Sequence, residues 1–187
     1  VGDDAMPSAR MVLCKDFQSD PGYLVFYTNY ESNKARQIEE NPNVAVLFHW
    51  DQLGRQVRIE GRAVRSPDAE SDEYFATRDW GSQIGAWGSD QSRHLESRNA
   101  LIAQVGKRAL KLGVNVAKNL QSIIGSDRPT IARPPHWGGY RIWARRVELW
   151  IEGKDRIHDR ASWERSLIEK DDGSFEVGDW TGHRLQP

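Results

Sequence analysis

Several short segments of this chain alternate between apolar and polar residues, which is the pattern of a β-strand with one buried face. The clearest case is residues 55–65, where small or apolar side chains at positions 57, 59, 61 and 63 alternate with charged or amide side chains. Turn-forming residues bound this run and the other apolar runs. The pattern predicts strands at residues 10–15, 22–29, 43–50, 55–65, 137–144, 147–151, 155–160 and about 174–180.

Between these strands, apolar residues recur at the spacing of a helix. Residues 32–42 open with a capping serine and end at a proline, which predicts one short helix. Residues 66–78 open with serine, proline and acidic side chains, which suit the start of a second helix. A third helix is predicted in residues 92–112, and the helical spacing resumes after Gly113. This continuation includes Val116, Leu120, Ile123 and Ile124, and a loop is expected at residues 126–135.

Strands with inserted helices, and no regular alternation of strand and helix, are typical of an α+β fold with an antiparallel sheet or barrel. The chain has 187 residues, which is enough for one domain with a substantial core. We predict a single domain over residues 1–187. Because residues 1–8 look like the middle of a hairpin, we also expect that sequence preceding Val1 is missing.

The charge balance narrows the classes of function. The chain has 26 Lys and Arg against 27 Asp and Glu, with a formal net charge of -1. Proteins that bind nucleic acid or membrane surfaces are usually basic, so neither partner is expected. The single Cys14 excludes an internal disulfide, and no apolar run approaches the roughly 20 residues of a membrane span. With no visible signal peptide, we expect a cytoplasmic protein.

Familiar catalytic and metal-binding motifs are absent from the sequence. The five His residues show no metal-ligand spacing and there is no Cys pair, so no metal site is expected. The G-x-S-x-G, Walker and G-x-G-x-x-G motifs are also missing. Serine hydrolase, P-loop and Rossmann functions therefore lose support.

The hexapeptide D-R-I-H-D-R at residues 155–160 carries the first candidate chemistry. In a strand, side chains alternate between faces, so Arg156, His158 and Arg160 would lie on one side of the sheet. Three cationic or proton-carrying groups in a row predict an anionic ligand in front of them. The alternative is a solvated edge strand in which the two aspartates neutralise the arginines.

Other donors suited to phosphate oxygens are spread through the chain. Tyr74, Arg78 and Ser82 have the spacing i, i+4 and i+8, which would place them on one face of a helix. The alternative is an exposed face with a chance pattern. Arg10 and Lys15 are five positions apart, so they would face opposite sides of a regular strand. A lysine near the start of the first predicted helix adds a cation close to N–H groups that favour anions.

A series of short motifs occurs in fixed order: R-M-V-L-x-K, F-Y-T-N, K-A-x-Q-I-E-x-N-P, R-Q-V-R-I-E-G, Y-F-x-x-R, S-Q-I-G-A-W, Q-S, W-G-G-Y-R, E-L-W, R-I-H-D-R and R-L-Q-P. In this order they closely resemble the pyridoxine/pyridoxamine 5'-phosphate oxidase family, from about residue 8 to residue 187, interrupted only in residues 100–135. The resemblance implies a split β-barrel homodimer with FMN at the subunit interface and residues 137–187 as a C-terminal dimerisation region. It also implies oxidation of pyridoxine or pyridoxamine 5'-phosphate to pyridoxal 5'-phosphate, with O2 as acceptor and H2O2 as product.

The resemblance further assigns roles to individual residues. Arg156 and His158 would be catalytic, because they would position the substrate and assist with the proton of its alcohol or amine. The substrate-binding set would be Lys15, Tyr74, Arg78, Ser82, Arg156 and His158. The cofactor-binding set would be Arg10, Met11, Val12, Leu13, Lys15, Tyr27, Thr28, Lys34, Gln56, Gln91, Ser92, Trp150 and Arg160.

Three features depart from the family pattern. Asn33 stands where the family usually has arginine, which predicts weaker retention of FMN. Residues 105–136 are longer than the family's usual connection. The proline that commonly follows the arginine is missing after Arg78. Two alternatives stay open: an FMN-dependent oxidase of the same family with another substrate, such as a phenazine-biosynthesis oxidase, and a non-catalytic flavin-binding protein. The complete phosphate-binding set favours the vitamin B6 substrate over the first, and Arg156 and His158 count against the second.

Overall fold

The computed structural model of the protein describes residues 6–113 and 130–187, which form two compact units. The sheet unit contains residues 6–26, 37–65 and 140–187, and the helical unit contains residues 27–36, 66–113 and 130–139. The single domain expected from the sequence stays a prediction.

The described residues contain nine strands: β1 (Asp16–Gln18), β2 (Tyr23–Asn29), β3 (Asn43–Trp50), β4 (Arg55–Arg65), β5 (Trp137–Ile151), β6 (Asp159–Glu164), β7 (Leu167–Glu169), β8 (Phe175–Val177) and β9 (Thr181–Leu185). The main sheet has the order β1-β2-β5-β4-β3, and β6 pairs with β5 and with β9. The pairs β3–β4, β4–β5, β5–β6 and β6–β9 are antiparallel. The predicted α+β fold with an antiparallel sheet is confirmed, and closure of the sheet into a barrel is not detected among the described strands.

Strand β4 shows why alternation in the sequence predicted the sheet correctly. Ile59, Gly61 and Ala63 are buried, whereas the side chains between them are only partly covered. A Cβ atom on Gly61 would lie 1.9 Å from the carbonyl oxygen of Trp143 on β5. Glycine is therefore required where β4 passes this close to its neighbour.

The described residues contain four α-helices: α1 (Asn33–Glu40), α2 (Asp68–Ala76), α3 (Trp80–Gly88) and α4 (Arg98–Lys111). Helices α2, α3 and α4 contribute to the core of the helical unit, which consists of Phe75, Ile84, Ala109, Ile131 and Trp137. Ser97 caps α4, because its hydroxyl accepts a hydrogen bond from the N–H of Ala100 at 3.1 Å. In the part of the chain described, no helix is long and apolar enough to cross a membrane.

The predicted helix over residues 66–78 is shorter than expected. It ends at Ala76, and a new helix begins at Trp80. The side-chain amide of Gln83 donates to the carbonyl oxygens of Phe75, Ala76 and Arg78 at 3.1, 3.4 and 3.1 Å. These contacts provide hydrogen bonds to carbonyls at a helix end, which otherwise lack partners.

The prediction of a strand over residues 155–160 is wrong for its first half. Residues 154–156 form a short 3-10 turn, and β6 begins only at Asp159. Asp155 and Arg156 have φ values of 56° and 64°, which lie in the left-handed region and cannot continue a strand. The alternation of side chains across this segment therefore does not apply.

Other predicted boundaries also change. Residues 10–15 have no regular secondary structure, and the first strand begins at Asp16, one residue after the N–H of Lys15 donates to the carbonyl of Val25 at 2.8 Å. The two strands predicted between residues 137 and 151 are one strand, β5, and β9 was not predicted. The predictions for residues 1–5, for the helical continuation from Val116 to Ile124 and for residues 126–129 lie outside the described residues.

Candidate functional site

Three predicted cofactor-binding residues lie in one row across the main sheet. In the registers of β4, β5 and β6, Gln56 lies opposite Trp150, and Trp150 lies opposite Arg160. Residues directly opposite each other in neighbouring strands project from the same face. The fold of the sheet unit therefore brings Gln56 into one row with Trp150 and Arg160, which lie 94 and 104 positions later in the sequence.

A buried carboxylate that the sequence analysis missed supports this row. Glu148 is 4% exposed, and its Oε1 accepts hydrogen bonds from Nε and Nη2 of Arg160 at 3.1 and 2.7 Å. Its Oε2 accepts from Nη2 of Arg58 at 2.6 Å. Burial opposes ionisation of Glu148, but the hydrogen bonds from Arg160 and Arg58 outweigh it and lower its pKa. The sequence signal was a single acid inside the apolar run V-E-L-W-I.

His158 lies against the same row. Its ring centroid is 4.6 Å from that of Trp150, and the N–H of Gly153 donates to its Nδ1 at 3.1 Å. Because Nδ1 accepts a hydrogen bond, the proton of the neutral ring is on Nε2. His158 thus presents a hydrogen-bond donor at Nε2.

Arg156 is exposed and lies in the 3-10 turn before His158. The expectation that Arg156, His158 and Arg160 line one face of a strand is wrong, because residues 154–156 are not extended. The structure instead places both His158 and Arg160 beside Trp150. The ring of His158 contacts the indole, and Arg160 is the partner of Trp150 in the register of β5 and β6.

In the helical unit, three further predicted cofactor-binding residues share hydrogen bonds. The ammonium of Lys34 donates to Oγ1 of Thr28 at 3.0 Å and to Oε1 of Gln91 at 3.1 Å. Thr28 also donates to Gln91 at 3.2 Å. Lys34 lies in the first turn of α1, where backbone N–H groups favour anions. This cluster joins three separate chain segments around one cation.

Helix α4 holds the segment that carries Gln91. The guanidinium of Arg108 donates two hydrogen bonds to the Asp90 carboxylate, at 2.8 and 2.7 Å. Gln104 donates to the carbonyl of Gly88 at 2.9 Å. The hydrogen bonds from Arg108 lower the pKa of Asp90. Ser92, the next predicted cofactor residue, is exposed and has a φ of 70°.

Arg78 is held by aromatic rings. Its guanidinium carbon lies 4.5 Å from the ring centroid of Trp137 and 5.7 Å from that of Phe75, distances that fit cation–π contacts. Burial lowers the pKa of Arg78, and Tyr74 acts in the opposite direction. Nη1 of Arg78 is buried, and no acceptor among the described residues bonds to it.

The neighbouring predicted substrate residue, Tyr74, belongs to an aromatic stack. Its ring lies 4.0 Å from that of Tyr27, with an angle of 14° between the planes, and Tyr27 lies 5.4 Å from Trp137. The stack fixes a phenol and a guanidinium on the same aromatic support. Trp137 was not among the predicted site residues.

The expectation that Tyr74, Arg78 and Ser82 lie on one helix face is wrong. Tyr74 is in α2, Arg78 lies between the helices, and Ser82 is exposed in α3. The break after Ala76 changes the direction of the chain between the first and third residue. The role of Ser82 stays a prediction.

The segment of residues 10–15 is exposed and irregular. The guanidinium of Arg10 donates to the Ser8 hydroxyl at 2.8 Å and to Gln37 at 3.1 Å. The expectation that Arg10 and Lys15 face opposite sides of a regular strand is wrong, since no strand forms there. The cofactor roles predicted for Arg10, Met11, Val12, Leu13 and Lys15 stay predictions.

Comparison with known proteins identifies the family of the chain. Residues 1–110 match the family described as pyridoxamine 5'-phosphate oxidase, and residues 137–187 match the pyridoxine 5'-phosphate oxidase C-terminal dimerisation region. The chain belongs to the pyridoxamine 5'-phosphate oxidase family. A pyridoxine/pyridoxamine 5'-phosphate oxidase from Rubrobacter xylanophilus is 44% identical, over 98% of this chain and 73% of the relative. One from Paracoccus denitrificans is 42% identical, over 94% of this chain and 74% of the relative.

Two solved structures are similar to this chain. PhzG from Burkholderia lata 383, in complex with tetrahydrophenazine-1-carboxylic acid, has a TM-score of 0.78 and 27% identity, over 100% of this chain and 79% of that one. A pyridoxamine 5'-phosphate oxidase-related, FMN-binding protein from Nostoc punctiforme PCC 73102 has a TM-score of 0.66 and 15% identity, over 100% of this chain and 84% of that one. The second likeness concerns the fold alone.

Membership of the oxidase family confirms the predicted class, a flavoprotein oxidoreductase with FMN as its cofactor. The described residues fit such a cofactor in their chemistry. In the sheet unit, the Gln56–Trp150–Arg160 row offers an amide, an indole and a guanidinium on one face. In the helical unit, considered by itself, Lys34 offers an ammonium beside a helix start. These are donors and flat rings suited to an aromatic ligand with a phosphate.

Proposed function

We propose that the protein is an FMN-dependent oxidase that converts pyridoxine 5'-phosphate or pyridoxamine 5'-phosphate to pyridoxal 5'-phosphate, with O2 as acceptor and H2O2 as product. The observation that carries the proposal is the buried Nη1 of Arg78, which has no acceptor among the described residues. A buried charged donor without a partner is costly. A substrate phosphate would provide the missing acceptor.

The phosphate-binding part of the proposal rests on Arg78 and Tyr74. The rings of Trp137 and Phe75 hold the Arg78 guanidinium, so little side-chain freedom is lost when an anion binds. A phosphate carries roughly -1.5 to -2 charge near neutral pH, and a guanidinium fork matches its oxygens. Lys15 and Ser82 belong to the same proposed set.

The cofactor part of the proposal assigns FMN to two groups of residues. In the sheet unit, the proposed FMN contacts are Gln56, Trp150 and Arg160. In the helical unit, the proposed FMN contacts are Thr28, Lys34 and Gln91. The remaining proposed contacts are Arg10, Met11, Val12, Leu13, Lys15, Tyr27 and Ser92. When bound, FMN supplies the acceptor for the two electrons that leave the substrate.

His158 and Arg156 have the proposed task of orienting the substrate. Because Nδ1 of His158 accepts from Gly153, its Nε2–H is the group available to a substrate oxygen or nitrogen. Arg156 is exposed on the turn that precedes it. We assign both residues to holding the reacting carbon in position, with His158 acting first as a donor.

We also propose a homodimer. Residues 137–187 match the dimerisation region of the family, and the sheet unit exposes several large apolar side chains in its described strands, which suits a subunit interface. They include Leu47 at 58%, Trp50 at 46%, Leu149 at 38% and Ile151 at 43% exposure.

The test is to supply pyridoxine 5'-phosphate and pyridoxamine 5'-phosphate to the FMN-loaded protein and to follow aldehyde and peroxide together. Aldehyde and peroxide in equal amounts support the proposal. Flavin binding without reduction by either compound would support a non-catalytic flavin protein instead.

A second candidate is an oxidase with a phenazine-type substrate. The observation in its favour is the likeness to PhzG, with a TM-score of 0.78 and 27% identity. The Rubrobacter relative is more similar in sequence, at 44% identity, and this favours the B6 substrate. Reduction of the flavin by tetrahydrophenazine-1-carboxylic acid, but not by the B6 phosphates, would favour this candidate.

A further inference from the structure

Glu148 is placed to control one guanidinium of the proposed cofactor site. It lies on β5, two residues before Trp150, and therefore on the same face of the strand. Its two carboxylate oxygens are divided between Arg160 and Arg58. The side chain is 4% exposed, so its position is fixed by these partners and by the surrounding sheet.

The donors of Arg160 can be counted. A guanidinium has five N–H groups. Nε and one N–H of Nη2 are directed to Glu148, and one N–H of Nη1 is directed to the carbonyl of Gln186 at 2.9 Å. One N–H on Nη1 and one on Nη2 remain for a ligand. The Arg160 side chain is 28% exposed, so these two donors can meet one.

The local charges leave Arg160 only partly neutralised. Glu148 shares its single negative charge between two guanidiniums. Arg58 has a second carboxylate, since its Nη1 lies 3.0 Å from Oε1 of Glu60. Arg160 has no second carboxylate partner among the described residues, and its remaining charge is available to an electron-rich ligand atom.

We infer that Glu148 is a positioning residue, which holds the Arg160 guanidinium in the orientation that FMN binding requires. The inference rests on the proposed function, in which Arg160 contacts FMN. A buried ion pair is weak evidence for stability alone, because apolar residues often replace one without loss. Its effect on the direction of two remaining donors gives Glu148 a role that packing would not supply.

The experiment is a double-mutant cycle on FMN affinity, with the dissociation constant measured by the change in flavin fluorescence. The variants are Glu148→Gln, Arg160→Met and the double variant. Glutamine keeps the shape of Glu148 but turns an amide N–H2 towards one guanidinium. We expect Glu148→Gln to weaken FMN binding about tenfold, as for loss of one charge-assisted hydrogen bond, and to have no further effect when Arg160 is already methionine.

Arg146→Met is the matched control. Arg146 lies on the same strand and face, and its Nε pairs with Glu164 at 3.2 Å, but it has no proposed contact with FMN. The FMN affinity of Arg146→Met should stay within about twofold of that of the unchanged protein, because the Arg146 side chain is as exposed as that of Arg160 but has no assigned ligand.

Three results would overturn the inference, and one of them also separates it from the proposed function. If Arg160→Met binds FMN as the unchanged protein does, the proposed contact itself fails. If Arg160→Met is weakened but Glu148→Gln is not, only the positioning role fails. An equal effect of Glu148→Gln in both backgrounds would mean that it acts on the fold in general. Should Glu148→Gln not fold, Glu148→Asp keeps the charge, cannot reach both arginines, and enters the same cycle with the same expectation.

Discussion

Arg160 of the sheet unit and Arg78 of the helical unit are both partly buried arginines, but their charges are balanced in different ways. Arg160 shares a buried carboxylate, Glu148, at 2.7 Å. Arg78 lies over the ring of Trp137 at 4.5 Å, and its buried nitrogen Nη1 has no acceptor among the described residues. Arg160 thus has a carboxylate partner within the protein, and Arg78 has none among the described residues.

The two arrangements suit different roles: the first stabilises the fold, and the second recognises a ligand. A guanidinium bonded to a buried acid contributes to the fold, and its removal leaves that acid with fewer hydrogen-bond partners. A guanidinium held by aromatic faces keeps its N–H groups for an incoming anion. The same substitution should therefore have different main effects at the two positions. At position 160 we expect loss of stability together with weaker FMN binding, and at position 78 we expect weaker binding of the substrate phosphate with little loss of stability.

The largest effect on stability is expected for Arg160→Met. It leaves the buried Glu148 with Arg58 as its remaining arginine partner. We expect the free energy of unfolding to fall by about 3 kcal/mol, the low end of the range for removal of one partner of a buried ion pair, because Arg58 stays bonded to Glu148. Urea unfolding of the FMN-free protein, at one protein concentration, measures it without the contribution of bound cofactor. Arg78→Met should change the same quantity by less than about 1 kcal/mol, and a large loss there would remove the contrast.

A smaller effect is expected for Gln83→Leu, which tests what holds Arg78 in place. The amide of Gln83 bonds the carbonyls of Phe75, Ala76 and Arg78. Loss of these hydrogen bonds should cost about 2 kcal/mol of unfolding free energy and should weaken binding of the substrate phosphate. Ser82→Ala, next to it and exposed, is the stability control. Unchanged melting temperatures for both variants would show that Gln83 does not fix the turn.

Asp155→Gly is expected to act in the opposite direction by a still smaller amount. Asp155 has a φ of 56°, where a residue with a Cβ is strained by roughly 1–2 kcal/mol. Glycine relieves the strain but adds freedom to the unfolded chain, so we expect a gain of about 0.5 kcal/mol. Asp159→Gly, in β6, should instead destabilise the protein. A loss of thermal stability in Asp155→Gly would contradict the assignment of strain to this turn.

The smallest change in the free energy of unfolding is expected when the pH is lowered. Acid protonates Glu148 but leaves both of its arginine partners in place. Arg160 and Arg58 lower the pKa of Glu148 against the effect of burial. A group with a lowered folded-state pKa contributes stability fully above its unfolded pKa, and the contribution is lost as pH falls through the folded-state value. For Glu148 that window begins below its ordinary value of 4.5. Urea unfolding at several pH values should show a shallower acid loss in Glu148→Gln, and identical slopes would contradict this assignment.

The sequence was sufficient where local pattern decides structure. Alternation in residues 55–65 predicted β4, and family motifs selected Gln56, Trp150 and Arg160, which the sheet register aligns. Likewise, the separate motifs that carry Thr28, Lys34 and Gln91 meet through hydrogen bonds. No single motif contains a whole group of these residues, but the fold brings residues from separate motifs together.

The sequence failed where a distant or individual contact overrides local pattern. The spacing of Tyr74, Arg78 and Ser82 assumed one helix, but the amide of Gln83 satisfies a helix end after Ala76. The alternation in D-R-I-H-D-R assumed an extended chain, and two left-handed residues interrupt it. Glu148 was missed because its arginine partners come from two other strands.

The most direct test of the account is the contribution of Arg78 to phosphate recognition. Binding of pyridoxal 5'-phosphate and of pyridoxal, which lacks the phosphate, should be measured by titration calorimetry on the FMN-loaded protein, on Arg78→Met and on Arg93→Met, an exposed arginine of the same unit. We expect a preference of about 100-fold for the phosphorylated compound, kept in Arg93→Met and nearly abolished in Arg78→Met. An unchanged preference in Arg78→Met would contradict the assignment of its buried N–H to the substrate phosphate.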